Sequence, residues 1–193
     1  MNLILSLHNI RSTYNVGSIL RTAEGFGVKS VMFSGYTPRY DDKALLPHLR
    51  EKLNHEIEKT ALGAEKLLTL ETSDDILTTL DDLKSRGYLL LGLENNLDDP
   101  RLLLLRHDNF SGIRSALHLF QKTLQNQSAA SQSSPELNIV LCLGEEVSGL
   151  SSDLRAKMDF FLEIPMQGKK RIVQCLNRDR NRSFCIDRDF MLN

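Results

Sequence analysis

The chain has no apolar run near the roughly 18 residues of a membrane span, and no basic stretch, apolar core and cleavage site at its start. It is therefore expected to be cytoplasmic, with no membrane partner. Cysteine is scarce: Cys142, Cys175 and Cys185 form neither a pairable framework nor a metal-ligand spacing, so reduced thiols and no metal are expected. Net charge is nearly absent, −1 from 24 basic and 25 acidic residues, so any nucleic-acid binding must come from a local patch. There is no internal repeat. No G-x-G-x-x-G follows the first apolar strand, which argues against a dinucleotide-binding oxidoreductase. What remains is 193 residues, 41% hydrophobic, enough for one sizeable core and one domain.

The most informative stretch is 137–170. Residues 139–143 form a short continuous apolar run, as in a strand buried on both faces of a parallel sheet. Gly144 ends it, Glu145 and Glu146 follow, Gly149 allows a second bend, and Ser151 or Ser152 can cap a helix through residue 160. A second strand, 161–164, stops at Pro165. Ligands in open α/β sheets bind beyond the carboxyl ends of strands, so the GEEVSG and IPMQGKK turns can line one crevice. Two ordinary strand-to-loop turns fit the same spacing.

Earlier in the chain, residues 3–7 read as a strand and HNIRSTYN as a polar loop, with Asn15 as N-cap of a helix over 16–26 and strand 28–33 beyond it. Residues 34–55 read as a long loop with a helical turn, in which Tyr36, Arg39, Tyr40 and Lys43 mix aromatic and basic groups able to stack on bases. A strand near 66–70, a helix capped by Ser73 through residue 86 and a strand over 88–93 follow. Residues 102–105 suit a short strand or a core helix turn, 113–124 have helical periodicity, and 125–135 read as a polar surface insertion. This order predicts an α/β fold, a mostly parallel sheet with helices on both faces. Asn9, Arg11, Asn15, Gly17 and Arg21 place two guanidinium forks and two amides around one strand-to-helix junction, suited to phosphate or ribose. A solvated loop followed by a helix-surface arginine would show the same pattern.

The segments NIRSTYNVGSILRTAEGFG, IVLCLGEEVSGLS and IPMQG together resemble the motifs of the SpoU or TrmH family of RNA 2'-O-ribose methyltransferases, with KTALGAE and the Leu93 and Glu94 pair also similar. The resemblance implies a SPOUT-type α/β knot near the C-terminus, S-adenosylmethionine held in it, a homodimer completing the site, and tRNA or rRNA as substrate. Family members often carry an added RNA-binding domain; residues 1–170 here are expected to be the bare catalytic module. Carried over by position, Asn15, Arg21 and Glu146 would be catalytic, with Arg21 orienting a phosphate and stabilising the developing alkoxide, since arginine is no proton acceptor. Leu143, Gly144, Ile164, Met166 and Gly168 would surround the cofactor, and Asn9, Arg11 and Arg39 would meet RNA. Glu145 stands where many members have asparagine. No metal is implied.

Residues 171–193 depart from the family. Ile172, Val173 and Gln174 stand where serine, an apolar residue and asparagine belong, and Arg178, Asp179, Arg180 and Arg182 would be costly to bury in a knot. One allowable reverse translation from Lys169 onward begins with an A-rich run; removing one A yields KKESFNVSIAIAIALFA and a stop, which restores the serine, the asparagine and an apolar helix. A one-nucleotide insertion at about Lys170 is therefore expected. The alternative is a non-catalytic knotted homologue that binds RNA or dimerises.

Overall fold

The computed structural model describes residues 2–95, 97–104 and 137–164. In chain order these form β1 (Asn2–His8), α1 (Thr13–Gly25), β2 (Ser30–Ser34), α2 (Pro47–Ala61), a 3-10 turn (Ala64–Lys66), β3 (Thr69–Ser73), α3 (Ile76–Ser85), β4 (Leu89–Leu93), β5 (Leu102–Leu104), β6 (Asn138–Leu143), α4 (Ser152–Lys157) and β7 (Phe160–Glu163). The seven strands lie in the order β3-β2-β1-β6-β4-β7-β5. Every pairing between them is parallel, as the run of apolar residues in β4 and β6 requires.

Side chains alternate across this sheet, so each strand feeds two cores. Leu5, Leu7, Val31, Phe33 and Leu143 pack with Val16, Ile19, Leu20 and Ala23 of α1 and with Ile57 and Ala61 of α2. Ile4, Met32, Leu90, Val140 and Cys142 pack with Ile76, Leu80 and Leu83 of α3 and with Leu154 of α4 on the other face. Helices thus cover both faces, as expected. Cys142 is a free, buried thiol pushed up to about 12 by desolvation, an inert core group.

Several local expectations shift. Ser12, not Asn15, caps α1: its backbone is extended, its Oγ accepts from the Asn15 N–H at 3.3 Å, and the helix starts three residues early. The expected loop over 34–55 ends in a helix of 15 residues, α2. Only Ile57 and Ala61 of α2 are buried, so its apolar stripe was too thin to read, although Pro47 sits in the first turn where a missing N–H costs nothing. The third strand begins at Thr69, and α3 is capped by Asp75, whose Oδ1 accepts from the Leu77 and Thr78 N–H groups. Ser73 stays in β3 and bonds the Thr79 hydroxyl instead. Helix α4 stops at Lys157, short of the expected residue 160, because Asp159 turns inward to accept the Leu90 N–H at 2.9 Å and β7 begins. Residues 102–104 are a strand. The expected helix over 113–124, the insertion over 125–135, the tail and the knot fall outside the described residues.

Two features position the site. Leu7, Leu143, Leu93 and Leu162 lie in one register row across β1, β6, β4 and β7, so the chain leaves all four strands at the same edge. Strand β6 lies between β1 and β4, both laid down much earlier, so the order reverses there, the place where open α/β sheets bind ligands.

Helices α1 and α2 touch closely at Gly17, where a β-carbon would overlap Thr60 Oγ1 and the Ile57 carbonyl oxygen. Gly17→Val should lower stability by about 1–3 kcal/mol, measured as a drop in the urea midpoint with an unchanged slope.

Candidate functional site

The loop after β1 is held by the end of β2. Asn9 adopts a left-handed backbone, φ 59°, and its Oδ1 accepts from the Tyr36 N–H at 3.3 Å. Ile10 is fully buried, and its N–H donates to Thr37 Oγ1, which in turn donates to the Leu7 carbonyl. The next three residues are thereby aimed at the loop after β6.

That loop is a tight turn, closed by reciprocal backbone hydrogen bonds between Glu145 and Gly149 at 2.9 and 3.0 Å. Its two carboxylates take hold of the first loop. Glu146 accepts from the Arg11 N–H at 3.3 Å, from the Ser12 N–H at 3.3 Å and from Asn15 Nδ2 at 3.0 Å. A negative charge is thus set against donors at the start of α1, where the helix dipole favours it. Glu145 accepts from the Arg11 guanidinium at 3.2 Å and from the Ser148 hydroxyl. Burial would raise the Glu146 pKa; hydrogen bonds from its own N–H, Arg11, Asn15 and Ser12 outweigh it and leave the group below its ordinary value. Glu145 is lowered too, chiefly by Ser148 and Tyr36. Both carboxylates are therefore ionised acceptors, and neither is tuned as a proton shuttle at neutral pH.

The far foot of the turn rests on Glu94, buried just beyond β4. Its Oε1 accepts the Leu150 N–H and lies 3.5 Å from the Arg155 guanidinium. Gly149 has φ 70° and sits over that carboxylate, where a β-carbon would collide with both oxygens. Sequence reasoning noted Glu94 only as part of a Leu-Glu pair; the available signal was an acid directly after an all-apolar strand. Beside it, Asn95 Oδ1 and Arg155 Nε are buried with no hydrogen-bond partner among the described residues.

The expected site residues divide. Asn15, Arg11 and Glu146 meet at the two-loop junction, while Leu143 and Gly144 end β6 and Ile164 follows β7 at the same edge. Asn9 turns toward Tyr36, Arg39 is half-buried in the loop after β2, and Arg21 is exposed on α1. Gly17 serves helix packing, which separates it from the expected ligand cluster. The Arg11 and Ser12 backbone N–H groups are occupied by Glu146, which leaves the side chains as the groups at the junction that could meet a ligand. Gly144 faces the Gly149 backbone and the Leu150 nitrogen, so its small size serves the turn itself. Met166 and Gly168 fall outside the described residues.

Among known proteins, the model of the SpoU rRNA Methylase family matches residues 2–177. The 23S rRNA (guanosine-2'-O-)-methyltransferase RlmB of Pseudomonas aeruginosa is 26% identical over 166 residues, 86% of this chain and 50% of that protein. The AdoMet-bound rRNA methyltransferase of Sinorhizobium meliloti has a similar fold, with a TM-score of 0.60 at 14% identity, covering 89% of this chain and 50% of that one. The SpoU methyltransferase AviRb of Streptomyces viridochromogenes superposes with a TM-score of 0.58 at 18% identity, covering 89% and 53%. The chain spans about half the length of the curated relatives it matches.

Two outcomes follow from the junction. Because the folded Glu146 pKa lies below its ordinary 4.5, its stabilisation is present above that value and lost as pH falls through the lower one. Urea unfolding from pH 7 to pH 3 should show the stability gap between wild type and Glu146→Gln narrowing on acidification. Gly144→Val should reduce thermal stability with no ligand added, read by circular dichroism, because its side chain must push the Gly149 backbone aside.

Proposed function

The chain belongs to the SpoU rRNA methylase family, and we propose that it transfers a methyl group from S-adenosylmethionine to a ribose 2'-hydroxyl of tRNA or rRNA. The observation that carries this reading is the junction, where Asn15 of the first motif meets Glu146 of the second at 3.0 Å on the carboxyl edge of the sheet. The reading extends to a cytoplasmic homodimer, with the second copy completing the site.

The residues fit that cofactor. Leu143 and Gly144, Asn95 and Ile164 leave neighbouring strands at one edge, and Asn95 Oδ1 is a buried acceptor open to a ribose hydroxyl or an amino group. When bound, the cofactor supplies an electrophilic methyl group on a sulfonium; the chain's own part is to align the 2'-oxygen for in-line attack. Arg21 lies six residues beyond Asn15, roughly 9 Å along the helix and about 120° around it. It therefore stands apart from the Glu146 cluster on the exposed side of α1. There it orients a substrate phosphate and stabilises the developing alkoxide, while the proton leaves through that phosphate or water. Glu146 holds Asn15 and the start of α1 in place, and Asn9, Arg11 and Arg39 face RNA around the opening. By their place in the third motif, Met166 and Gly168 are assigned to the cofactor as well.

For the C-terminal segment the proposal is a frame disturbance at about Lys170. Reading the gene across codons 169–172 decides it: absence of an A-rich run removes the explanation. The chain and its frame-restored form should then be compared for methyl transfer from labelled S-adenosylmethionine into tRNA and rRNA, with the restored form the more active. In that form, Arg21→Ala should reduce transfer to background while thermal stability stays within about 0.5 kcal/mol of the parent, as for an exposed residue. Near-normal turnover in this variant would sink the assignment.

A further inference from the structure

Arg11 is the basic side chain at the two-loop junction, and its surroundings neutralise it. Its side chain is 78% exposed, yet its guanidinium is held 3.2 Å from Glu145, a carboxylate only 27% exposed. The Arg11 N–H is fixed separately by Glu146, so the residue's backbone cannot swing while its side chain can. Glu145 gathers partners from several loops: Arg11 after β1, Tyr36 after β2 and Ser148 of its own turn. Tyr36 is half exposed, and its hydroxyl titrates above the ordinary range, through desolvation first and then through the nearby Glu145 carboxylate. One arginine beside two ionised carboxylates leaves this cluster net negative. The whole chain, at −1, offers no compensating attraction for a polyanion.

An exposed ion pair is worth little in water and exchanges readily. A phosphate offers the same guanidinium a bidentate partner of matching geometry. We propose that Arg11 is an RNA phosphate contact held in reserve by Glu145, and that RNA docks by displacing Glu145 from it. This rests on the RNA reading above. Glu145 then acts as a gate on affinity: weakly bound RNA is held off until a phosphate is presented at the junction, and the released carboxylate keeps Ser148 and Tyr36 as partners.

The test is a double-mutant cycle with bulk tRNA as probe, followed by fluorescence anisotropy across a range of salt concentrations. Glu145→Gln keeps the shape and removes the charge, and it should tighten binding severalfold. The phosphate contact is the same in both complexes, so the salt slope should change by less than the roughly 0.7–0.9 logarithmic units of a whole added contact. Arg11→Ala should weaken binding modestly in the wild-type background, where the lost phosphate contact is partly offset by there being no Glu145 pair to break, and should cancel the gain in the Glu145→Gln background. Circular dichroism melts confirm that all four proteins fold. No gain from Glu145→Gln, or a gain that persists after Arg11→Ala and so reflects net charge alone, overturns the proposal. Methyl transfer by the frame-restored form, measured in parallel, keeps the two readings apart. The expected binding pattern without any transfer by that form supports the gate and defeats the methyltransferase assignment, whereas transfer with no gain from Glu145→Gln does the reverse.

Discussion

The carboxylate of Glu146 ties the structure's two functional loops together. Parallel pairing of β1 with β6 brings the loops to the same edge, but pairing alone leaves their conformations open. Helix α1 begins with N–H groups that no residue within the helix can satisfy. Glu146, 134 residues beyond Ser12, accepts the Ser12 N–H at the cap and the Asn15 side-chain amide in the first turn. One anion thus completes a helix start, fixes the Asn15 side chain and sets the distance between the loops, and it remains ionised because the donors around it outweigh the cost of its burial.

Glu146 can do this only if its own turn is rigid. The turn has glycine at both ends because backbone lies against backbone at Gly144, and because the left-handed Gly149 lies against a carboxylate. Underneath, Glu94 takes the Leu150 N–H and leans on Arg155, so a buried charge is both hydrogen-bonded and paired. Strand β4 therefore supports the turn, and the turn in turn supports α1. Perturbing Glu94 would be felt at Asn15 through the turn that carries Glu146.

Much of this was legible before any coordinates. Residues 139–143 announced a central strand because burial on both faces demands an unbroken apolar run, and Gly144, Glu145 and Glu146 announced the turn. Helix α2 escaped notice because only two of its 15 residues are buried, and so thin a stripe shows hardly any periodicity. Asn15 looked like a cap because its residue type suits the role; Ser12 won because the burial of Ile10 brings the chain into the helix three residues sooner. At the junction the donors were visible in the sequence, while Glu146, their acceptor far along the chain, was not.

Local chemistry accounts for what the amino-acid sequence determined alone: the α/β order, the apolar strands, the glycine turns and the residue types of the two motifs. These depend on side-chain periodicity and backbone freedom over a few neighbours. Which groups meet was decided only in three dimensions. Strand order set β6 between β1 and β4; the first adjacency delivered Glu146 to Asn15 and Glu145 to Arg11, and the second delivered Glu94 to Leu150. Hydrogen bonds and ion pairs act over about 3 Å whatever the separation along the chain. A residue's partner is therefore a property of the folded sheet, and spacing in the sequence does not contain it.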